Sequence, residues 1–168
     1  MKLYFRQERS NLPLERYKYP LEQAMLTLFP GEKPVYGPVE PEDRQWAVLC
    51  MEELSGCLQV EIELSAGERT EVRRQTVSLS GTDYEREGQR RRSVVRCFFQ
   101  AAQAVTGIAL PWGMLTGVRP VKLPARSLER GFTPTQAQAE LEQEYQVTPR
   151  RAQMAVDCAQ ASQAVDQT

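Results

Sequence analysis

The run Pro111-Trp112-Gly113-Met114-Leu115-Thr116-Gly117-Val118-Arg119-Pro120-Val121-Lys122 constrains this chain more than any other stretch. It places two prolines, two glycines, one tryptophan and two cations within twelve residues. Neither a regular helix nor an ordinary strand accepts that mixture, because proline removes a main-chain donor and fixes φ. Its glycines permit turns that are strained for other residues. Trp112 needs an apolar surface, and Arg119 and Lys122 need anions or water. The segment reads as a connecting plate between two folded parts. Gly113 or Gly117 is expected at positive φ, and Trp112 against the end of the preceding helix, near Phe98, Ala102 or Val105.

A chain of 168 residues accommodates one ordinary domain, or a domain with a small helical subdomain. Its net charge of −1 supplies no field that would draw a polyanion, which argues against nucleic acid as a partner. No apolar stretch reaches the roughly twenty residues of a bilayer span, so no membrane partner is expected. Residues 1–6 lack the apolar core of a secretory signal, and the chain reads as cytoplasmic. Cys50, Cys57, Cys97 and Cys158 then read as reduced thiols, Cys97 as a core residue. None stands at metal-knuckle spacing and histidine is absent, so no metal site, no bound cofactor and no catalytic residue is assigned within the chain.

Along the chain, residues 3–6 are β-rich. Pro20 suits the first turn of a helix reaching about Phe29, with Leu21, Met25 and Leu28 on one face. The proline- and acid-rich stretch from Gly31 to Asp43 reads as an exposed loop. Residues 45–54 are apolar on both faces, as in a strand covered on both sides. Residues 57–64 alternate, with Leu58, Val60, Ile62 and Leu64 inward. Ser65-Ala66-Gly67 reads as a three-residue hairpin loop, which sets Val60 opposite Val72 and Glu63 opposite Arg69. Val72 is then out of phase with Val77 and Leu79, and a bulge near Arg74 would repair the mismatch. A long helix follows from about Thr82 to Thr106, capped by Gly107. Its stripe runs Tyr84, Gly88, Arg91, Val95, Phe98, Ala102 and Val105, widened by Val94 and Phe99. Thr133-Pro134 and Thr148-Pro149 are repeated helix starts, giving helices near 134–145 and 149–165. Pro124 argues against a helix directly after Pro120, and the chain end from Gln163 reads as frayed.

The resulting expectation is an α+β fold: a small antiparallel sheet of three to four strands covered by helices, then a C-terminal helical subdomain. The parts are an α+β layer (1–108), the connecting segment (109–124) and the helical subdomain (125–168).

Two groups of cations are candidate contacts. Arg90 and Arg92, in the run that also holds Arg86, Arg91 and Arg96, form either an anion site or a solvated face paired with Glu85, Glu87 and the acidic strand face. The second reading is favoured, and it predicts that changing Arg90 and Arg92 to glutamine moves stability by less than about 1 kcal/mol. Arg119 and Lys122 would either recognise an anionic group or lock two subdomains together, with Trp112 and Thr116 beside them.

The run from Pro111 to Leu123 resembles the segment preceding the catalytic domain in one bacterial branch of oxygen-independent coproporphyrinogen III oxidase-like radical S-adenosylmethionine proteins, the coproporphyrinogen dehydrogenases. Gly131, Glu144-Tyr145 and Val147 follow at familiar places, and Pro124 departs from the family's pattern. The resemblance implies an oxidoreductase of haem and porphyrin biosynthesis that decarboxylates propionates oxidatively. A four-iron four-sulfur cluster held by a Cys-x-x-x-Cys-x-x-Cys loop and S-adenosylmethionine are implied for the full-length protein. No such loop occurs here, so the chain is expected to be an accessory N-terminal part, cut before its own C-terminal catalytic barrel and not catalytic alone. The rival expectation is a stand-alone binding module for RNA, an acidic partner or a tetrapyrrole. The exposed glutamates and the lack of stacking aromatics argue against RNA.

Overall fold

A computed structural model describes residues 1–115 and 119–166. The chain divides into two compact units, Met1–Ile108 and Ala109–Thr168.

The first unit is α+β, as its sequence pattern predicts. Strands β1 (Lys2–Phe5), β2 (Val35–Tyr36), β3 (Gln45–Leu54), β4 (Cys57–Ala66) and β5 (Arg69–Ser78) form one sheet in the order β2-β1-β3-β4-β5. Helices α1 (Lys18–Leu28) and α2 (Asp83–Thr106) complete it. The sheet has one more strand than expected and is mixed, because β1 runs parallel to both β2 and β3. The chain leaves β1, forms α1 and re-enters the sheet beside β1 in the same direction, the connection that parallel neighbours require. Beyond β1, residues 6–11 keep following β3. Arg6 N donates to Leu49 O, Met51 N donates to Ser10 Oγ, and the Asn11 amide both donates to and accepts from the Glu53 main chain at 2.8 Å. A side-chain amide thus substitutes for a strand's peptide group.

The core lies on one face of the sheet. Leu3, Leu49, Met51, Leu58, Ile62 and Leu64 meet Leu21 and Met25 of α1 and Val94, Phe98 and Phe99 of α2, all buried. Phe29 meets Phe98 edge-on at 6.4 Å between ring centres. On the opposite face Val48 is buried and Trp46 and Cys50 are half-buried, in line with a strand covered on both sides.

Several local expectations fail. The β4–β5 connection is a two-residue turn, Gly67-Glu68, because Ala66 pairs with Arg69. Gly67 has φ 67°, which suits the first central position of a hairpin turn. Ala66 stays in the strand, so Val60 faces Gln75 and Glu63 faces Val72, and the ladder from Cys57–Ser78 to Ala66–Arg69 is continuous with no bulge. Val72 points to the open face and Glu71, Arg73, Gln75 and Val77 share the helix side with Leu64, Ile62, Val60 and Leu58. Polar groups of α2 receive them: Arg96 Nε donates to Gln75 Oε1 at 3.0 Å, and Gln75 Nε2 donates to Gln100 Oε1 at 2.8 Å. For the same reason the buried stripe of α2 begins at Ser93 and Val94 and runs through Cys97, Phe98, Ala101, Ala102 and Val105. Tyr84 is 89% exposed and Arg91 is exposed, so the predicted first half of that stripe faces water. The ends of α2 are as predicted: Thr82 and Glu85 form a capping box, and Gly107 closes the helix at φ 71°.

The second unit holds α3 (Lys122–Glu129), α4 (Pro134–Tyr145) and α5 (Pro149–Asp166). Helix α3 forms despite Pro124, which sits in the first turn where no intrahelical amide donor is needed. Thr133 and Gln136 form the capping box of α4. Ala137, Leu141, Val147, Ala152, Ala155 and Val156 make this unit's core.

Candidate functional site

The sequence-predicted contact residues fall in both units. Arg90 and Arg92 belong to the first, and Trp112, Arg119 and Lys122 to the second. Thr116 and Gly117 lie outside the described residues.

In the second unit, Pro111–Met114 is a turn seated on the connection between α4 and α5. Thr148 donates to Pro111 O through both its main-chain N and its Oγ1, each at 3.1 Å, and Met114 N donates to Tyr145 O at 2.8 Å. Between them Gly113 has φ 53°, and a Cβ there would overlap the main chain of Tyr145 and Gln146. Only glycine meets both demands, which explains its place after the tryptophan. Gln146, itself at φ 56°, caps α4 in the left-handed region and presents that main chain. Trp112 is half-buried on the Ala137–Val156 core together with Leu115, Leu123, Leu128 and Tyr145. The Arg151 guanidinium lies 5.4 Å from the centre of its ring system. The apolar surface that Trp112 finds is therefore that of α4 and α5, which corrects the expected seat on Phe98, Ala102 or Val105. The turn's own hydrogen bonds hold it to the α4–α5 connection.

Arg119 and Lys122 follow at the entrance to α3, both exposed. Lys122 N donates to Arg119 O at 3.1 Å, but among the described residues neither side chain has a hydrogen bond or ion pair. Behind them, buried Ser127 donates to Leu123 O at 3.2 Å and to the Glu140 carboxylate, tying α3 to α4. The scaffold is fixed while its two cations remain in water.

Arg90 is the opposite case. Its Nε donates to Glu53 Oε2 at 2.7 Å, its Nη2 to Glu53 Oε1 at 3.0 Å, and its Nη1 to Glu87 Oε2 at 3.3 Å. The Tyr17 hydroxyl donates to the same Glu87 oxygen at 3.4 Å, and Arg91 Nε is 3.6 Å from the other. Arg90 and Glu53 side chains are 17% and 18% exposed, so this is a half-buried two-pronged pair and not a solvated face. The hydrogen bonds from Arg90 hold the Glu53 carboxyl below its usual range, and Glu53 in turn raises the guanidinium. Burial, then the Glu87 charge, pushes the Tyr17 phenol up to about 12. Arg90 is thus spent on joining β3 to α2. Arg92 is half-exposed, has no ion pair among the described residues, and lines a surface cleft of about 470 Å³ with Ser80, Tyr84, Gln89 and Arg91.

The cysteines stand apart. Cys97 is buried, its thiol pushed up to about 12 by burial. Cys50 and Cys57 lie on adjacent strands but oppose Glu61 and Leu54, and Cys158 is exposed on α5. Among the described residues no three metal-ligating side chains converge, and no helix is long and apolar enough to cross a membrane. This donor set does not fit an iron–sulfur cluster, which needs several convergent thiolates.

No family model matches the chain. A curated relative does, with 29% identity over 131 residues: the oxygen-independent coproporphyrinogen-III oxidase-like protein HemZ of Bacillus subtilis. The chain is similar to HemZ. The match covers 78% of this chain and 26% of the relative, so the chain spans about a quarter of HemZ's length. The resemblance carried by Pro111–Leu123 and this match point to the same kind of protein. A solved structure, protein VC0702 from Vibrio cholerae, has 14% identity and covers 52% of this chain and 69% of its own, with a TM-score of 0.31.

Proposed function

We propose that this chain is the accessory N-terminal part of an oxidoreductase resembling HemZ, acting in porphyrin and haem biosynthesis in the cytoplasm. The observation that carries the reading is the match to HemZ over most of this chain but a quarter of that protein. The four-iron four-sulfur cluster and S-adenosylmethionine of such an enzyme would be held outside these residues, because the separated thiols here do not suit them. The chain itself would cover or orient its own catalytic barrel and would not catalyse alone. Arg119 and Lys122 support this role. They stand at the start of α3, which the Ser127–Glu140 bond ties to α4, and neither side chain has a hydrogen bond or ion pair among the described residues. A carboxylate on the facing surface would match Arg119's planar fork. Arg92 is a second uncommitted cation of this kind.

A chimera tests the reading. HemZ whose matching quarter is replaced by this chain should still convert its substrate, and changing Arg119 and Lys122 to glutamate should reduce that turnover several-fold without loss of cluster absorbance. The isolated chain, given iron and sulfide without air, should stay colourless. A stoichiometric cluster band in the isolated chain would overturn the proposal, as would an inactive chimera that is folded and cluster-loaded.

A further inference from the structure

The sheet ends in β5, and β5 is open. In the β4–β5 hairpin the residues flanking the two-residue turn, Ala66 and Arg69, form a hydrogen-bonded pair by the geometry of such turns. The bond from Leu79 N to Gly56 O, 2.8 Å, continues the same phase at the far end. Odd-numbered residues of β5 therefore bond β4, and the main-chain donors and acceptors of Thr70, Val72, Arg74 and Thr76 face away from the sheet. No further strand lies beyond β5 among the described residues. The N–H groups of these four residues have no hydrogen-bond partner there either. The strand is ten residues long and has neither proline nor bulge, two of the devices that blunt such an edge; its charges are of both signs, Glu71 among Arg69, Arg73 and Arg74.

We infer that β5 is the interface for a second copy of this chain, the two β5 strands pairing antiparallel about a two-fold axis at Val72 so that the two sheets become one. The sequence of the edge selects this register. Val72, 38% exposed, meets Val72 of the second copy. Glu71 stands opposite Arg73 of the second copy and Arg73 opposite its Glu71, while Thr70 faces Arg74 and Arg69 faces Gln75. Within one chain Glu71 and Arg73 are already 3.1 Å apart, so pairing joins two such couples into a four-membered network. Sliding by one allowed step sets Glu71 against Glu71 or Arg73 against Arg73, and like charges directly opposite are destabilising. Arg74 is occupied by Glu61 on the open face, so its charge does not oppose approach. A two-fold contact of this kind is self-complementary and closes without forming a fibre.

Sedimentation velocity on the 168-residue chain tests the inference. The chain should be a dimer at micromolar concentration. Val72→Pro removes an N–H that faces the free edge, leaves the β4 ladder intact, and should raise the dimer dissociation constant at least about tenfold with little change in melting temperature. Glu71→Arg should do the same by facing Arg73 of the second copy, and the exchange Glu71→Arg with Arg73→Glu should restore the dimer. A monomeric wild type would overturn the inference. So would a dimer indifferent to Val72→Pro, or an exchange variant that stays monomeric.

Discussion

Arg90 of the first unit and Arg119 of the second are used in opposite ways. In the first, Arg90 is held by Glu53 and Glu87 and its charge is consumed inside the fold. In the second, the side chains of Arg119 and Lys122 carry no partner among the described residues, at the start of a helix that Ser127 ties to α4 through Glu140. A cation that builds structure differs from one available for docking by what already surrounds it, not by residue type. The sequence offered Arg90 with Arg92, and Arg119 with Lys122, as two candidate contact groups, and the carboxylates around Arg90 separate it from the other three.

The sharpest way to break the comparison is at Gly113. Gly113→Ala meets both a strained φ and overlap with the Tyr145 and Gln146 main chain. It should cost the second unit about 3 kcal/mol or more, read as early loss of amide protection in α4 and α5. If protection there is unchanged, the Pro111–Met114 turn does not hold the α4–α5 connection.

Next in size is Arg90→Gln, which strands Glu53 in a half-buried setting. With both groups still 17–18% exposed, solvent screens part of the effect, and a loss of about 1 to 3 kcal/mol is expected in chemical denaturation. The pair also predicts an acid limb. The Glu53 carboxyl is lowered from its ordinary 4.5 in the folded chain, so its contribution is present above that value and fades as pH falls below it. The Arg90→Gln variant should lack that part of the acid sensitivity. A loss below about 0.5 kcal/mol with an unchanged acid limb would return Arg90 to the class of solvated charges.

At the alkaline end Tyr17 gives a smaller effect. Its phenol is raised from 10 to about 12, so the neutral ring's contribution is whole below pH 10 and lost as pH rises from there. Tyr17→Phe should flatten the fall in stability above pH 10. A parallel fall in both proteins would show that Tyr17 has no part in it.

What could be read from the sequence was set by local chemistry. The capping boxes at Thr82 and Thr133, the left-handed Gly107 and the apolar faces of α1 and β4 depend on neighbours along the chain, and they stand where the pattern puts them. Gly113 at positive φ belongs to the same class. What could not be read depended on distant partners. The two-residue strand β2 and the parallel pairing of β1 leave no periodic signal. The phase of β5 is not legible in its sequence because an edge strand has no fully buried face, and the polar side chains of α2 that bond its inward Gln75 cancel the usual alternation. Trp112 needs an apolar surface, but the hydrogen bonds to Tyr145 and Thr148 that seat its turn on the α4–α5 connection are invisible in the sequence. For the candidate site, the sequence named Arg119 and Lys122, but that they stand free follows only from the arrangement around them.

The smallest expected effect on stability is the most telling for function. Replacing Arg119 and Lys122 together with glutamine removes two exposed cations that make no ion pair among the described residues. Surface substitutions of this kind fall within about 0.5 kcal/mol, because water replaces whatever the charge touched. The melting temperature of the isolated chain should therefore hardly move, while the same change in the HemZ chimera should lower turnover several-fold. The two readouts together separate docking from folding. A fall in stability comparable to that of Arg90→Gln would mean that these cations, like Arg90, are consumed within the fold, and the contrast between the two units would disappear. Unchanged stability with unchanged chimera turnover would leave the contrast in place but remove Arg119 and Lys122 from the docking surface, making Arg92 the cation to examine next.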